Sequence, residues 1–346
     1  MSEYKPKNLL VTGGVGFIGC NFVRYILDRD QTVRIVNLDK LTYAGSLDNL
    51  GDLPDPSRHT FVQGDICDRA LVSELLREHE IDTIVHFAAE SHVDRSITGP
   101  AAFVQSNVIG TFTLLEAARQ YWLEERGLDQ DHCRFHHIST DEVYGTLGPD
   151  DPAFAETTPY APNSPYSASK AGADHFMRAY HHTYGLPVIT TNCSNKYGPY
   201  QHDEKFIQTV IRSCIERAPI PVYGDGSNIR DWLYVEDHCH GIDAVMRRGR
   251  VAETYNIGGR NECSNIDTAR KICQIMDHER PENAPHDRLI TFVEDRPGHD
   301  WRYAIDATKM ERELDWRPSE TFESGLRKTV TWSLKPEQAA KHDEVG

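Results

Sequence analysis

Two carboxylates stand side by side in this chain, at the point where a predicted buried strand ends. The run HHISTDEVYG places Asp141 and Glu142 between the apolar part of the strand and a glycine turn. An ionised carboxylate accepts a proton and a protonated one donates a proton, provided that their surroundings separate the two pKa values. The pair is therefore a candidate for acid–base chemistry. The alternative is a solvated strand end, since Asp and Glu are usually exposed.

A tyrosine and a lysine form a second candidate pair. Tyr166 and Lys170 are four residues apart in PYSASKAGADH, so they lie on one face of a predicted helix. An ammonium group beside a phenol favours the phenolate, which predicts a lowered pKa for Tyr166 and a base that removes a hydroxyl proton. Thr140 is available to hydrogen-bond the same hydroxyl group.

A glycine-rich turn near the N-terminus predicts a dinucleotide site. Gly13, Gly16 and Gly19 follow the apolar run NLLVT and precede a helical pattern. Glycines at this spacing let a pyrophosphate approach the backbone at a helix N-terminus. Asp39 ends the second strand, where an acid binds the adenosine ribose and repels a 2′-phosphate. The pattern therefore favours NAD over NADP.

These residues require a scaffold of alternating strands and helices. The predicted strands are 8–12, 33–38, 60–64, 82–89, 134–139 and 187–193, and the predicted helices are 17–28, 69–78, 100–122 and 166–184. Continuous apolar strands alternating with amphipathic helices indicate a parallel sheet covered on both faces. The expected fold class is α/β, with a Rossmann-type doubly wound parallel sheet.

The second half of the chain has a different pattern. After residue 194 it becomes irregular and richer in Pro and Gly, which predicts a smaller C-terminal substrate-binding region made mainly of loops. We expect an NAD-binding Rossmann domain at 1–193 and the substrate-binding region at 194–346. A segment near 231–262 is expected to return to the Rossmann domain.

The composition argues against several classes of function. The 346 residues carry a net charge of −16, which opposes nucleic-acid binding because phosphate contacts need clustered Lys and Arg. No apolar run approaches the roughly 20 residues of a membrane span. The eight cysteines form no CxxC motif, which favours a reduced, cytoplasmic protein. His238 and His240 would point to opposite sides of a helix, so no metal site is expected.

From residue 8 to residue 332 the chain resembles the extended short-chain dehydrogenases, and within them the dTDP-glucose 4,6-dehydratases. The resemblance rests on TGGVGFIG, LDKLTYAG, GDICD, HFAAESHVDRSI, HHISTDEVYG, SPYSASK, NCSNKYGPYQ, IRDWLYVEDH, YNIGG and DRPGHDWRYAID. UDP-galactose epimerases share the Gly and Tyr/Lys motifs but carry small residues in place of the acid pair. GDP-mannose dehydratases carry one acid there, a Glu.

The resemblance implies a redox-neutral reaction of dTDP-glucose with bound NAD. The sugar is oxidised at C4, loses water across C5 and C6, and receives the hydride back at C6 as dTDP-4-keto-6-deoxy-glucose. By resemblance, Glu142 is the base at C5 and Asp141 is the acid that protonates the C6 hydroxyl. Thr140 and Tyr166 would handle the C4 hydroxyl, while Lys170 would support Tyr166 and bind the nicotinamide ribose.

The resemblance also implies the binding residues. The cofactor-binding residues are Gly13, Gly16, Phe17, Ile18, Gly19, Asp39, Lys40, Leu41, Thr42, Asp65, Ile66, Ala88, Ala89, Ser91, Tyr166 and Lys170, with Asp65 and Ile66 at the adenine edge. The substrate-binding residues are His92, Thr140, Asn195, Lys205, Phe206, Pro221, Tyr223, Arg230, Asn265, Asp295, Arg296 and His299. For His92 a packed, hydrogen-bonded role is an equal alternative, and for Arg230 the alternative is an ion pair with Asp231 or Asp237.

Rival functions and partners follow from the same motifs. A UDP-sugar 4,6-dehydratase stays open, because thymidine and uridine nucleotides differ by one methyl and one hydroxyl. A nucleotide-sugar 4-epimerase is opposed by the acid pair. A non-enzymatic NAD sensor is opposed by the intact Thr140, Tyr166 and Lys170. The resemblance implies a homodimer in which the helices 100–122 and 166–184 pair with a partner's copies.

One departure from the family pattern falls beside the cofactor. The family has Asn-Asn-Tyr-Gly-Pro where this chain has Asn195, Lys196 and Tyr197. One interpretation is a tolerated change, with the ammonium of Lys196 reaching solvent or a phosphate oxygen. The other is weaker retention of the oxidised nicotinamide, whose positive ring a nearby ammonium would repel.

Overall fold

A seven-stranded parallel sheet forms the centre of the computed structural model, which describes residues 3–295 and 298–335. Its strands are β1 Asn8–Thr12, β2 Arg34–Asp39, β3 His59–Gln63, β4 Thr83–His86, β5 Arg134–Ile138, β6 Val188–Cys193 and β10 Thr254–Ile257. Their spatial order is β3-β2-β1-β4-β5-β6-β10. Every neighbouring pair is parallel. The predicted α/β Rossmann-type fold is confirmed.

Helices cover both faces of this sheet, because alternate residues of each strand point to opposite sides. In β1, Leu9 and Val11 enter one apolar core, whereas Leu10 enters the other. The helices of the first 200 residues are α1 Phe17–Arg29, α2 Arg69–Glu78, α3 Val93–Thr98, α4 Pro100–Phe103, α5 Thr111–Ala118 and α6 Pro165–Tyr184. The strands between the two cores are almost wholly buried, which explains their continuous apolar sequences.

The predicted helix at 100–122 is helical but not uniform. Helix α4 continues into a π-helical segment at Val104–Gly110, and α5 continues into another at Arg119–Glu125. Helix α6 is regular throughout its length. Ser164 and Ser167 form a capping box at its start, and Gly185 ends it with a φ of 75°, in the left-handed conformation that favours glycine.

The expectation of mainly loops after residue 194 is wrong. The remaining strands are β7 Asn195–Tyr197, β8 Ile220–Tyr223, β9 Ile229–Tyr234, β11 Glu262–Ser264 and β12 Ile290–Val293. The remaining helices are α7 Phe206–Glu216, α8 Val235–Arg248, α9 Asn265–Glu279, α10 Thr308–Leu314 and α11 Phe322–Ser333. Strands β11, β9 and β7 form one small sheet, and β12 pairs with β8. These strands have only three to six residues, so the Pro- and Gly-rich turns between them dominated the local pattern.

Part of the second half of the chain joins the central sheet. Strand β10 pairs in parallel with β6. Helix α8 packs against α1, and both helices contribute to the same apolar core. Both elements lie at or beside the segment 231–262. The division of the chain at residues 193 and 194 stays a prediction. Within the described residues, none of the helices is both long and apolar enough to cross a membrane.

Candidate active site

The glycine turn between β1 and α1 brings two backbone segments into close contact. Gly13 has a φ of 73°, and a Cβ atom there would lie 2.6 Å from the backbone nitrogen of Ala88. A Cβ atom on Gly19 would lie 2.2 Å from the carbonyl oxygen of Gly13. A Cβ atom on Gly16 would stay 3.4 Å from that oxygen, which is ordinary contact. Two of the three predicted glycines are therefore required by packing, and they leave the start of α1 open to a ligand.

Asp39 lies at the carboxyl end of β2, beside this turn. Its carboxylate accepts hydrogen bonds from the backbone nitrogens of Val15 (3.2 Å) and Leu41 (2.9 Å). Burial raises the pKa of Asp39, although these hydrogen bonds oppose the rise. Asp65 follows β3 and forms an ion pair of 2.8 Å with Lys40. The carboxyl ends of β2 and β3 thus carry the acids that the sequence assigned to the adenosine half of a dinucleotide.

One cavity joins the glycine turn to the acid pair. The cavity and the open solvent at its mouth together occupy about 1560 Å³. The residues predicted for the site that line it are Gly13, Gly16, Phe17, Ile18, Gly19, Asp39, Lys40, Thr42, Asp65, Ile66, Ala88, Ala89, Ser91, Thr140, Asp141, Glu142, Tyr166, Lys170, Asn195 and Lys205. The sequence reasoning missed other lining residues, among them Ser106, Ser139, Ser194, Gln201 and His202.

The acid pair begins a single helical turn at the end of β5. Thr140 caps the turn, since its hydroxyl oxygen accepts from the backbone nitrogen of Glu142 (3.3 Å) and its hydroxyl donates to Asp141 Oδ1 (3.3 Å). Asp141 is only 2% exposed. Burial, followed by the charge of Glu142, raises the pKa of Asp141 from 3.8 to about 7. A solvated strand end is excluded, and Asp141 is a carboxyl group that can hold a proton near neutral pH.

Tyr166 and Lys170 face the cavity from the first turns of α6. Burial and the charge of Glu142 raise the pKa of Tyr166 well above 10, while a hydrogen bond with Thr140 opposes the rise. Lys170 Nζ donates to the carbonyl oxygen of Ile138 (2.7 Å), and burial lowers the pKa of Lys170 to about 8. The expected lowering of the Tyr166 pKa by Lys170 is therefore wrong for the chain by itself. The physical reason is burial of the phenol, followed by the charge of Glu142.

Asp174 is a supporting residue that the sequence reasoning did not single out. Its Oδ2 accepts hydrogen bonds from Ser139 Oγ (2.9 Å) and Tyr160 Oη (3.0 Å), and its Oδ1 lies 3.1 Å from His137 Nε2. Burial raises the pKa of Asp174 to about 6, and the charge of Lys170 opposes the rise. Asp174 stands four residues after Lys170 on α6, so helical spacing was the signal that could have found it.

The residues predicted for the nucleotide form a second group outside the lining of this cavity. Pro221 and Tyr223 lie on β8. The ring of Tyr223 packs edge-on against His299, and His299 Nδ1 is 2.6 Å from Asp295 Oδ1. Arg296, predicted beside them, lies outside the described residues.

Arg230 and Asn265 lie near the junction of β9 and α9. The guanidinium of Arg230 donates to the carbonyl oxygens of Ile229 (2.7 Å) and Asp300 (2.9 Å), and it lies over the ring of Tyr303. Asn265 begins α9, and its backbone nitrogen donates to Asn228. The two proposed ionic partners of Arg230 are occupied by other donors: Asp231 binds the backbone nitrogens of Gly259 and Asn261, and Asp237 binds Ser319 and Glu320.

Three further predicted residues lie at or next to lining residues of the cavity in the sequence: Lys205, Phe206 and His92. Lys205 Nζ donates to the carbonyl oxygen of Ser91 (3.2 Å), and Phe206 begins α7 directly after it. His92 precedes α3, and its Nε2 lies 3.4 Å from a carboxylate oxygen of Glu204. This contact agrees with the alternative in which His92 is packed against protein groups. In the part of the chain that the structure describes, no group of three or more His, Cys, Asp or Glu side chains could hold a metal ion.

Comparison with known proteins shows the family to which this chain belongs. The family model for GDP-mannose 4,6 dehydratase matches residues 10–329. The dTDP-glucose 4,6-dehydratase of Xanthomonas campestris pv. campestris strain B100 is 58% identical over 327 residues, covering 94% of this chain and 92% of its own length. This chain belongs to the dTDP-glucose 4,6-dehydratase family. The expectation from the sequence motifs is confirmed.

Solved structures of the dTDP-glucose 4,6-dehydratase family share the whole fold. The enzyme of Bacillus anthracis in complex with NAD superposes with a TM-score of 0.85 at 46% identity, covering 96% of this chain and 98% of its own. The enzyme of Streptomyces venezuelae with NAD and TYD bound also has a TM-score of 0.85 at 46% identity, with 94% and 96% covered. The similarity therefore includes both the glycine turn and the elements after residue 194.

Proposed function

We propose that this chain is an NAD-dependent dehydratase that converts dTDP-glucose to dTDP-4-keto-6-deoxy-glucose. One observation carries the proposal: Asp141, with a pKa of about 7, and Glu142 line the same cavity as Thr140 and Tyr166. A 4-epimerase needs only the groups that handle an alcohol, whereas elimination of water also needs a base and an acid. Relatives named dTDP-glucose 4,6-dehydratases support the same substrate.

The glycine cradle fits NAD. The contacts at Gly13 and Gly19 leave no room for side chains, which suits the close approach of a pyrophosphate to the start of α1. The carboxylate of Asp39 suits ribose hydroxyls and opposes a 2′-phosphate. When bound, NAD would supply the hydride acceptor for oxidation at C4 and the hydride that returns to C6.

The residues of the chain move the protons of this reaction. Thr140 and Tyr166 hold the C4 hydroxyl, and Tyr166 removes its proton as C4 is oxidised. The resulting ketone acidifies the proton at C5, which Glu142 removes and later gives back. Asp141 gives its proton to the C6 hydroxyl, so that water can leave. Because Asp141 is buried beside Glu142, it holds that proton near neutral pH.

The elements after residue 194 hold the nucleotide in this proposal. The net charge of the chain is −16, so a diphosphate needs local cations. Lys205 and Arg230 would supply these cations, and the amides of Asn195 and Asn265 would add hydrogen bonds. Tyr223 and His299 provide aromatic surfaces for the base.

The test uses two substrates and no added reductant. We expect purified enzyme to form a 4-keto-6-deoxy product from dTDP-glucose in preference to UDP-glucose, without net formation of NADH. The combined change of Asp141→Asn and Glu142→Gln should still allow reduction of bound NAD while abolishing loss of water. Epimerised hexose as the product, or water loss at the normal rate in the double variant, would refute the proposal.

A second copy of the chain is the partner in this proposal, and the protein acts in the cytoplasm as a homodimer. Apolar side chains are exposed along α5, α6 and the π-helical segment before α5: Val104 (52%), Ile109 (41%), Phe112 (38%), Phe176 (37%) and Tyr184 (49%). The rings of Phe112 and Phe176 also contact each other, and a cluster of exposed apolar side chains is typical of an interface.

The dimer is tested by placing a charge on this face. Phe112→Glu should convert the dimer to a monomer in sedimentation experiments, since a carboxylate would be buried without a partner. Phe292→Glu is the matched control, because Phe292 is 55% exposed on the separate strand β12. A monomeric parent protein, or a dimeric Phe112→Glu variant, would contradict this assembly.

A further inference from the structure

A lysine ammonium stands beside the acid pair, in a place that the reaction scheme above does not use. Lys196 lies on β7, is half-buried, and lines the same cavity as Asp141 and Glu142. Its Nζ donates to Cys193 Sγ (3.1 Å), and Cys193 Sγ donates to the carbonyl oxygen of Ser139 (3.0 Å). This chain of hydrogen bonds links β7 and β6 to the residue that precedes Thr140 and the two acids. The hydrogen bond to Cys193 accounts for the position of the ammonium without a contact to solvent or to a phosphate.

The thiol of Cys193 holds the ammonium without neutralising it. Burial raises the pKa of the Cys193 thiol, although Lys196 opposes the rise, so the thiol orients Lys196 as an uncharged group. An enclosed ammonium is costly unless charges of opposite sign lie close to it. Asp141 and Glu142, which line the same cavity, are the acidic residues that act on Lys196.

Two further charged residues of the described chain act on Asp141. They lie on β9: Arg230 donates to the carbonyl oxygens of Ile229 and Asp300, and Asp231 accepts from two backbone nitrogens. Asp141 Oδ2, by contrast, is a buried oxygen with no hydrogen-bond partner among the residues that the structure describes. Among the described residues, Lys170 also lines the cavity but donates to the carbonyl oxygen of Ile138, whereas the charge of Lys196 acts on Asp141.

We propose that Lys196 is a positioning residue for the elimination step, and that its ammonium, held by Cys193, keeps a single shared proton on the pair Asp141 and Glu142. The inference rests on the proposed function for its chemical meaning. Without the cation, the adjacent carboxyl groups would hold protons more tightly, because nothing would offset burial and the mutual repulsion of two carboxylates. With the cation, one carboxylate is ionised for C5 while the other keeps the proton for C6.

The electrostatics of the described residues agree with this geometry. Burial lowers the pKa of Lys196, but the Cys193 thiol and the two carboxyl groups reverse that effect and leave the pKa raised. In turn, burial and Glu142 raise the pKa of Asp141, while Lys196 opposes the rise. Removing the ammonium should therefore move the protonation of the acid pair to higher pH.

The first test measures protonation without catalysis. Infrared spectra across a pH titration report the protonated carboxyl of Asp141, which is assigned by its absence in Asp141→Asn. In Lys196→Met, which keeps the length of the side chain but not the charge, this titration should move to higher pH. In Lys196→Arg it should stay close to that of the parent protein. An unchanged titration in Lys196→Met would overturn the proposal, whatever the substrate of the enzyme proves to be.

The second test separates the elimination from the oxidation. In a single turnover with dTDP-glucose, Lys196→Met should reduce bound NAD at the normal rate but release the 4-keto-6-deoxy product at least tenfold more slowly. Lys196→Arg should recover most of the rate. If Lys196→Met instead loses bound NAD during purification and eliminates water normally when NAD is added back, Lys196 acts on cofactor retention and the proposal is wrong. If neither the parent protein nor the variant reacts with dTDP-glucose, the proposed function fails while the infrared result stands.

Discussion

The buried carboxyl of Asp141 should make the protein less stable as pH rises. The pKa of Asp141 is raised from 3.8 to about 7, chiefly by burial. In the unfolded chain this group ionises near 3.8, so ionisation favours unfolding between these two values. Each pKa unit corresponds to about 1.4 kcal/mol, which makes the complete penalty about 4 kcal/mol above pH 7. Below pH 3.8 the carboxyl is protonated in both states and the penalty vanishes.

Asp141→Asn removes this penalty and should stabilise the protein at alkaline pH. Because the penalty is only partly developed at about pH 5, the stability gained by the variant should be about 2–3 kcal/mol larger at about pH 8 than at about pH 5. The amide leaves a donor in a site built for a carboxyl, and that cost of about 1–3 kcal/mol does not depend on pH. The difference between the two pH values therefore isolates the ionisation of Asp141.

Denaturant unfolding of the parent and variant at both pH values is the assay. Asp28→Asn is the matched control for exchanging a carboxylate for an amide, since Asp28 is exposed on α1. The variant should also lose elimination of water by a factor of about 10²–10⁴, the usual contribution of a general acid. If Asp141→Asn changes stability equally at both pH values, Asp141 is ionised at neutral pH in the folded protein and cannot be the acid.

Two further outcomes follow from contacts in the site. Gly19→Ala should purify with little bound NAD, because its Cβ atom would lie 2.2 Å from the Gly13 carbonyl oxygen. Gly16→Ala should keep most of the cofactor, because its Cβ atom would lie 3.4 Å from the same oxygen. The nucleotide released on denaturation measures the bound NAD of both variants. Asp174→Asn should move the alkaline side of the pH profile of kcat to lower pH, because the carboxylate of Asp174 opposes the lowering of the Lys170 pKa. Asp174→Glu should restore part of that shift, and a profile unchanged in Asp174→Asn would show that the carboxylate does not support Lys170.

Much of the first half of the fold was predictable because its signals are local. Strand β1 has the predicted bounds, and α2 begins and ends at the predicted residues. Both follow from unbroken periodicity in the sequence. The region after residue 194 was misjudged because its strands are too short to show a period between Pro- and Gly-rich turns. Their stability comes from an apolar core shared with α7, α9 and α11, which no short window of sequence contains.

The candidate site divides in the same way. Glycine spacing, the i,i+4 relation of Tyr166 and Lys170, and the adjacent acids are properties of the chain, so the sequence alone identified them. The pKa values are not such properties. Lys170 donates to a carbonyl of β5, and the phenol of Tyr166 is enclosed with the charge of Glu142, which reverses the predicted direction of its pKa.

The sequence by itself determined the fold class, the family and the identity of the reacting groups, because each depends on residue types at fixed spacing. Only the tertiary structure decided which of these groups is charged. Burial and neighbouring charge set the protonation of a carboxyl, and both come from residues distant in the chain. Asp141 holds a proton because it is buried beside Glu142, and the thiol of Cys193 fixes the position of the Lys196 ammonium in the same cavity.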